Sequence, residues 1–187
     1  MTWPAQNGKE LEEPNKQARF EETMMPHLDA AYNLARWLTR NEHDAQDVVQ
    51  DAFLRAFKFF DGFRGGNSRS WLLSIVRNTT YTWLQKNRKQ ELATISDEEI
   101  HAIEDTSSNP EVLLLKNSDR QEMMRAVEQL PVEFREALIL RELEGLSYKE
   151  IAEMADVPIG TVMPRLARAR KQLQQSLGQR VEPGASK

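Results

Sequence analysis

An all-α fold is what this sequence predicts: two small helical domains joined by a flexible acidic linker, the second carrying a helix-turn-helix. Three observations predict it. Apolar residues recur at helical spacing from Arg19 to Lys89 and again from Asp119 to Leu177. Residues 90–118 between those blocks are acidic, contain Ser107-Ser108-Asn109-Pro110 and show only scraps of period. Finally, Ser147 and Glu150 have the S-x-x-E spacing of a capping box, and a second apolar stripe follows after a short break.

Taken in order, residues 1–18 hold Pro4, Gly8 and Pro14 without a clear period and read as a mobile tail. The first domain, residues 19–89, opens on a stripe of Met24, Met25, Leu28, Ala31, Tyr32, Ala35 and Leu38. Pro26 lies inside it, so the helix starts there or bends there. Asp44 can cap the next helix, Ala45–Phe60, whose apolar face is Val48, Val49, Ala52, Phe53, Ala56, Phe57 and Phe60. Asp47, Gln50, Asp51, Arg55 and Lys58 remain outside. Asp47 and Asp51 lie one turn apart, where they could face a cation or a basic partner surface, although ordinary surface helices carry such pairs. Asp61–Arg69 is a glycine-rich loop. A helix from Ser70 to Lys89 follows, with Trp71, Leu72, Ile75, Val76, Thr79, Trp83 and Leu84 toward a core. Its cationic end suits a helix C-terminus, and the loop and the cations together also suit a nucleic acid.

The second domain spans residues 119–178. Its first helix turns Met123, Met124, Val127 and Leu130 inward; Pro131 suits the first turn of the next, and Gly145 ends that one. Ile151, Ala152 and Ala155 share one face of the third helix. Val162, Leu166, Ala169, Leu173 and Leu177 make the stripe of the fourth, with Thr161, Pro164, Arg165, Arg168, Lys171 and Gln172 opposite. Two short helices with a cationic outer face on the second describe a DNA-reading helix-turn-helix, or else a helical hairpin with a solvated basic face. Residues 179–187 read as a second mobile tail.

Composition bounds the function. The chain has 187 residues, 40% of them hydrophobic, and a net charge of −4. Residues 91–111 hold seven acids and no Lys or Arg, so the remainder is net positive by three. There is no cysteine, hence no disulfide framework or thiolate metal site, and a reducing cytoplasm fits. Membrane insertion is not expected, since no apolar run approaches ~18 residues. The phosphate loop G-x-x-x-x-G-K-[ST] and H-E-x-x-H are absent, and His27, His43 and His101 are scattered. No catalytic residue, metal or cofactor is expected.

The wording narrows this further. Leu130–Leu173, with EIA in one helix and GTV-x-x-RL-x-RAR in the next, resembles the C-terminal domain of bacterial sigma factors, which reads the −35 promoter element. Residues 20–89, with DAQDVVQDAFLRAF and FRGGNSRSWLLSIVRN, are similar to the helical region 2 of the extracytoplasmic-function (ECF) group of the sigma-70 family. The resemblance implies an initiation factor that directs core RNA polymerase to promoters and helps melt the −10 element. It implies that Asp47, Gln50, Asp51, Phe53 and Arg55 bind the β′ clamp helices, with Phe53 partly core. It gives Asn67, Ser68, Arg69, Arg77, Asn78, Lys86 and Arg88 to −10 DNA, and Thr161, Arg165, Arg168, Arg170 and Lys171 to −35 DNA. It further implies contact with the β flap, an anti-sigma protein as partner, and a linker whose carboxylates imitate a phosphodiester chain inside the polymerase.

Two departures stand out. The family often has an Asp and basic residues where this chain reads Tyr81-Thr82-Trp83-Leu84-Gln85. It usually has a small polar residue where this chain has Pro164. If Thr161 caps the reading helix, Pro164 falls in its first turn at little cost. If the helix starts at Pro158 or Ile159, Pro164 is interior and bends it. The alternative function is a polymerase-independent helix-turn-helix regulator, which leaves the FRGGNSRS loop and the acidic linker without a task.

Overall fold

A computed structural model describes residues 12–94 and 117–178, and every regular element among them is a helix. Most of the expected linker, residues 95–116, lies outside the described residues, as do residues 1–11 and 179–187. The N-terminal domain comprises α1 (Glu12–Met24), α2 (Leu28–Thr39), α3 (Glu42–Phe59) and α4 (Ser68–Thr94). The C-terminal domain comprises α5 (Asn117–Glu128), α6 (Val132–Glu142), α7 (Tyr148–Ala155) and α8 (Ile159–Gly178).

Helix α1 begins inside the segment read as a tail. Its anchor is Phe20, which is buried and meets Phe53, Phe57 and Phe60 edge-on at centroid distances of 5.2–6.2 Å. Such T-shaped pairs add to plain burial because the positive ring edge meets a negative face. Pro14 lies in the first turn of α1, where a missing N–H is harmless. Pro26 sits in a single 3-10 turn, Met25–His27, that separates α1 from α2. This turn rotates Met25 and Leu28 outward, against the sequence expectation, while Leu34 joins Ala31, Ala35 and Leu38 inside.

The cap of α3 is Asn41 rather than Asp44. Asn41 Oδ1 accepts the Asp44 backbone N–H at 3.1 Å, so Asp44 lies within the first turn, where its charge favours the helix N-terminus. Helices α2, α3 and α4 pack mutually around Leu34, Leu38, Val48, Ala52, Leu72, Leu73 and Val76.

In the C-terminal domain Gly145 takes a left-handed conformation at φ 67°, and the Leu146 N–H closes on the Leu140 carbonyl at 3.0 Å. Asp156 ends α7 in the same way at φ 52°, a conformation that short polar side chains tolerate. Among its described side chains, α5 buries only Ala126 and Val127, in its last turn, and Leu130 follows them inside. Met123 and Met124, expected inside, are exposed one turn earlier. The stripe of α8 is as read, with Val162, Leu166 and Ala169 fully covered.

The two domains meet. Helix α6 lies on α2 and α7 lies on α4, and one apolar cluster runs from Phe20 to Ala169 across the junction.

Candidate nucleic-acid and polymerase interfaces

Three surfaces carry the candidate residues. The first is the outer face of α3. Asp47, Gln50, Asp51 and Arg55 are exposed there, with Arg55 paired to Asp51 at 3.1 Å. Together with Leu54, and with Thr79, Thr82, Trp83 and Lys86 of α4, they line an open groove. Phe53 points away from this groove and packs edge-on against Phe20. Lys86 belongs to the same groove, beside the α3 residues rather than beside the loop at the start of α4.

The second surface is that loop and the first half of α4. Gly65 and Gly66 both have positive φ, 86° and 94°, which is why glycine stands there. Asn67 ends the loop and caps α4: its Oδ1 accepts the Ser70 N–H at 3.0 Å. His27 Nε2 and Ser68 Oγ share a hydrogen bond at 2.8 Å, tying the 3-10 turn to this corner. Burial, then the neighbouring Arg69 charge, push the His27 imidazole below its ordinary pKa.

Three of the seven side chains expected to reach −10 DNA, Asn67, Arg69 and Arg77, point at the C-terminal domain. Arg69 Nη1 donates to the Glu144 carbonyl at 2.8 Å, and its Nη2 pairs with the Glu144 carboxylate. Arg77 Nε pairs with Glu136, Nη2 donates to the Ala155 carbonyl at 3.3 Å, and Nη1 donates to Asn78 Oδ1 at 3.2 Å. Tyr81 stacks under the Arg77 guanidinium and donates its hydroxyl to Glu136 at 2.9 Å. Burial, then Glu136, push the Tyr81 phenol well above its ordinary range. Asn67 Nδ2 and Ser70 Oγ both donate to Glu150, at 3.0 and 3.2 Å. Asn78 and Arg88 are exposed.

Glu136, Glu144 and Glu150 went unread as partners of these side chains. Glu136 and Glu144 are buried to within a few per cent, and a carboxylate in the inward run of α6 is the signal that marks the first of them. Arg135 is the other unread residue. It is buried, and it donates to the carbonyls of Glu128, Leu130 and, across the domain junction, Leu38. Burial, then the nearby Arg40 charge, lower its pKa to about 10.

The third surface is the outer face of α8. Thr161, Arg165, Arg168 and Lys171 follow at steps of four, three and three, on the side away from Leu166 and Ala169. Arg168 and Lys171 are exposed and make no ion pair among the described residues. Arg170 stands apart, paired with Glu142 at 2.6 Å. The capping box predicted at Ser147 is present, with the Ser147 hydroxyl accepting the Glu150 N–H and the Glu150 carboxylate accepting the Ser147 N–H. Helix α8 starts at Ile159, so Pro164 is interior.

Comparison with known proteins finds two family modules in this chain. The Sigma-70 region 2 family matches residues 23–90, and the Sigma-70, region 4 family matches residues 120–173. The chain is 41% identical over 135 residues to the ECF RNA polymerase sigma-E factor of Escherichia coli K12, covering 68% of this chain and 71% of that one. It is 32% identical over 158 residues to the ECF RNA polymerase sigma factor SigE of Mycolicibacterium smegmatis, covering 84% of this chain but only 61% of the relative's length. Among solved structures, the sigma factor RpoE of Bartonella quintana, crystallised with the anti-sigma factor NepR, superposes with a TM-score of 0.71 at 29% identity, over 88% of this chain and 99% of the other. The structure of CnrH with the cytosolic domain of CnrY shares the fold at a TM-score of 0.60 and 24% identity, over 88% of this chain and 90% of the other. With both modules present in one chain and in this order, the protein belongs to the extracytoplasmic-function group of the sigma-70 family of RNA polymerase sigma factors.

Proposed function

We propose that this chain directs core RNA polymerase to a defined set of promoters and helps melt the −10 element during initiation. The work is differential binding, with no covalent step. The α3 groove, with Asp47, Gln50, Asp51 and Arg55, docks on the polymerase clamp; Phe53 supports it from the core side. Asn67, Ser68, Arg69, Arg77 and Asn78, with Lys86 and Arg88 further along α4, take the −10 strand, whose captured bases drive strand separation. Arg165 and Arg168 read −35 bases or phosphates, while Thr161, Arg170 and Lys171 hold phosphate. The C-terminal domain also meets the β flap. A protein that acts on polymerase in this way works in the cytoplasm. The crystallised relative is held by an anti-sigma factor, and an anti-sigma partner fits this chain for the same reason.

The observation that carries this reading is a pair of modules, matched separately at residues 23–90 and 120–173, in one chain. The test is in vitro transcription with core polymerase on genomic fragments, with and without the protein. Start sites that appear only with it, sharing −10 and −35 elements, support the reading. Duplex binding by the protein alone, with no polymerase binding, would replace it with an independent helix-turn-helix regulator.

A further inference from the structure

The exposed face of α8 is cationic along one flank and apolar along the other. Ile159, Met163 and Ala167 step by four and so form a strip along the helix. All three are exposed. Met163, at 60%, and Ile159, at 57%, are the two most open large apolar side chains among the described residues of the C-terminal domain. Pro164, also exposed, adjoins the strip on its outward side. Thr161, Arg165 and Arg168 fall on the opposite flank of the helical wheel. Between the flanks Gly160 carries no side chain, and nothing lies within 4 Å of where its Cβ would stand, so a partner can approach the backbone there.

Single exposed apolar residues are ordinary on a protein surface. This strip is a different case, because the core does not use it and its surroundings point to a polyanion. The buried stripe of α8 is Val162, Leu166 and Ala169, and residues 157–178 hold four cations and no Asp or Glu. A reading helix presents its N-terminal residues to base edges in the major groove, and the strip occupies the N-terminal half of α8. The base edges there are hydrogen-bond donors and acceptors, with one apolar feature, the C5-methyl group of thymine. Ile159, Ala167 and Pro164 have no side-chain group to pair with a donor or acceptor, and Met163 has only a weakly accepting thioether. Pressed on a cytosine amino group, such side chains would strip a donor of water and return little.

We infer that Met163, flanked by Ile159 and Ala167, is a specificity-determining residue of the reading helix, selecting thymine within the −35 element by packing on its C5-methyl group. Arg165 and Arg168 act from the other flank. The inference rests on the promoter-reading function proposed above and names what the apolar side of α8 reads.

Uracil pairs with adenine as thymine does and lacks only that methyl group, so it isolates the contact. Promoters are first mapped by in vitro transcription. The complex of the full chain with core polymerase is then titrated with duplexes in which each thymine of the −35 element, on either strand, is replaced singly by uracil. At one or two positions affinity should fall about fourfold, the effect of losing one buried methyl group. Met163→Ala, at an exposed position in a helix that alanine favours, leaves folding safe. It should bind the natural duplex more weakly with an unchanged salt slope, because no phosphate contact is lost. At a sensitive position the two changes should not add, and uracil should cost the Met163→Ala protein little further affinity.

Uracil tolerated at every position overturns the inference and leaves the proposed function intact. So does full additivity with Met163→Ala at every sensitive position, or a −35 element without A·T pairs. Absence of any transcription start site refutes the proposed function, and the thymine assignment with it.

Discussion

Pro164→Ser should make the protein more stable, and the size of the gain follows from where the proline sits. Helix α8 begins at Ile159, making Pro164 its sixth residue. The first four N–H groups of a helix have no partner within it; the N–H at position 164 would have been the second to find one, at the Gly160 carbonyl. Proline removes that hydrogen bond, worth about 1 kcal/mol net. Full helix-interior propensity puts proline roughly 2.5 kcal/mol below serine. Two features soften this. The first turn is already tightened, with the Thr161 N–H on the Pro158 carbonyl at 2.8 Å. Gly160 is exposed and carries no side chain to obstruct an adjustment. Loss of proline also frees the unfolded chain, at a cost of about 0.4–1 kcal/mol. The net gain is therefore about 1–2 kcal/mol, or roughly 2–8 °C in Tm for a chain of this length. Thermal unfolding followed by circular dichroism at 222 nm measures it. Pro164→Ala should gain about 0.5 kcal/mol more than Pro164→Ser. A Tm that is unchanged or lower in both variants refutes the argument. The serine substitution also alters the DNA-facing edge of α8, so −35 duplex affinity should differ between the parent and the Pro164→Ser protein; equal affinity would show that the proline is accommodated without effect on reading.

Arg168→Ala and Lys171→Ala, each removing a cation without an ion pair among the described residues, should each lower the salt slope of −35 duplex binding by about one unit; a slope unchanged in both would remove them from the phosphate contacts. The Glu150 carboxyl is held below its ordinary value of 4.5, first by the Ser147 backbone N–H, then by the Ser147 hydroxyl, with Ser70 and Asn67 also donating. A depressed carboxyl stabilises above its ordinary pKa and loses that contribution as pH falls through the folded value. The urea midpoint should therefore drop more steeply below about pH 4.5 in the parent than in Glu150→Gln, and parallel curves would contradict the assignment. Asn41→Ala removes the cap of α3 and should cost about 1 kcal/mol in chemical denaturation, whereas Asp44→Ala should cost less.

Much of the fold was legible because periodicity is a local signal. The stripe of α8, the capping box at Ser147 and the turn at Gly145 all depend on residues within a few positions of one another. Errors arose where a neighbour changes the local rule. Asn41 outcompetes Asp44 as a cap because the chain enters α3 three residues earlier than the apolar stripe requires. Met25 and Leu28 turn outward because the 3-10 turn at Pro26 shifts the phase between α1 and α2. Met123 and Met124 are exposed because α5 overlies the rest of its domain only with its end. The contacts of Arg69 and Arg77 were not legible at all. Their partners lie 75 and 59 positions away, and nothing in the pattern of either domain specifies how one meets the other. Cationic side chains near a glycine-rich loop suggested DNA, and that inference had no means of registering a carboxylate from elsewhere in the same chain.

The junction between α2–α4 and α6–α7 has a further consequence because both sides belong to one polypeptide. Tethered surfaces meet at an effective concentration set by the length of the connecting chain, of order millimolar for short tethers. A junction that would scarcely form between separate molecules can thus be well populated within one, and dilution does not undo it. A free competitor at micromolar concentration must bind that face roughly a thousandfold more tightly than the two domains bind each other to displace it. A partner that lands on the uncovered side of α3 meets no such handicap.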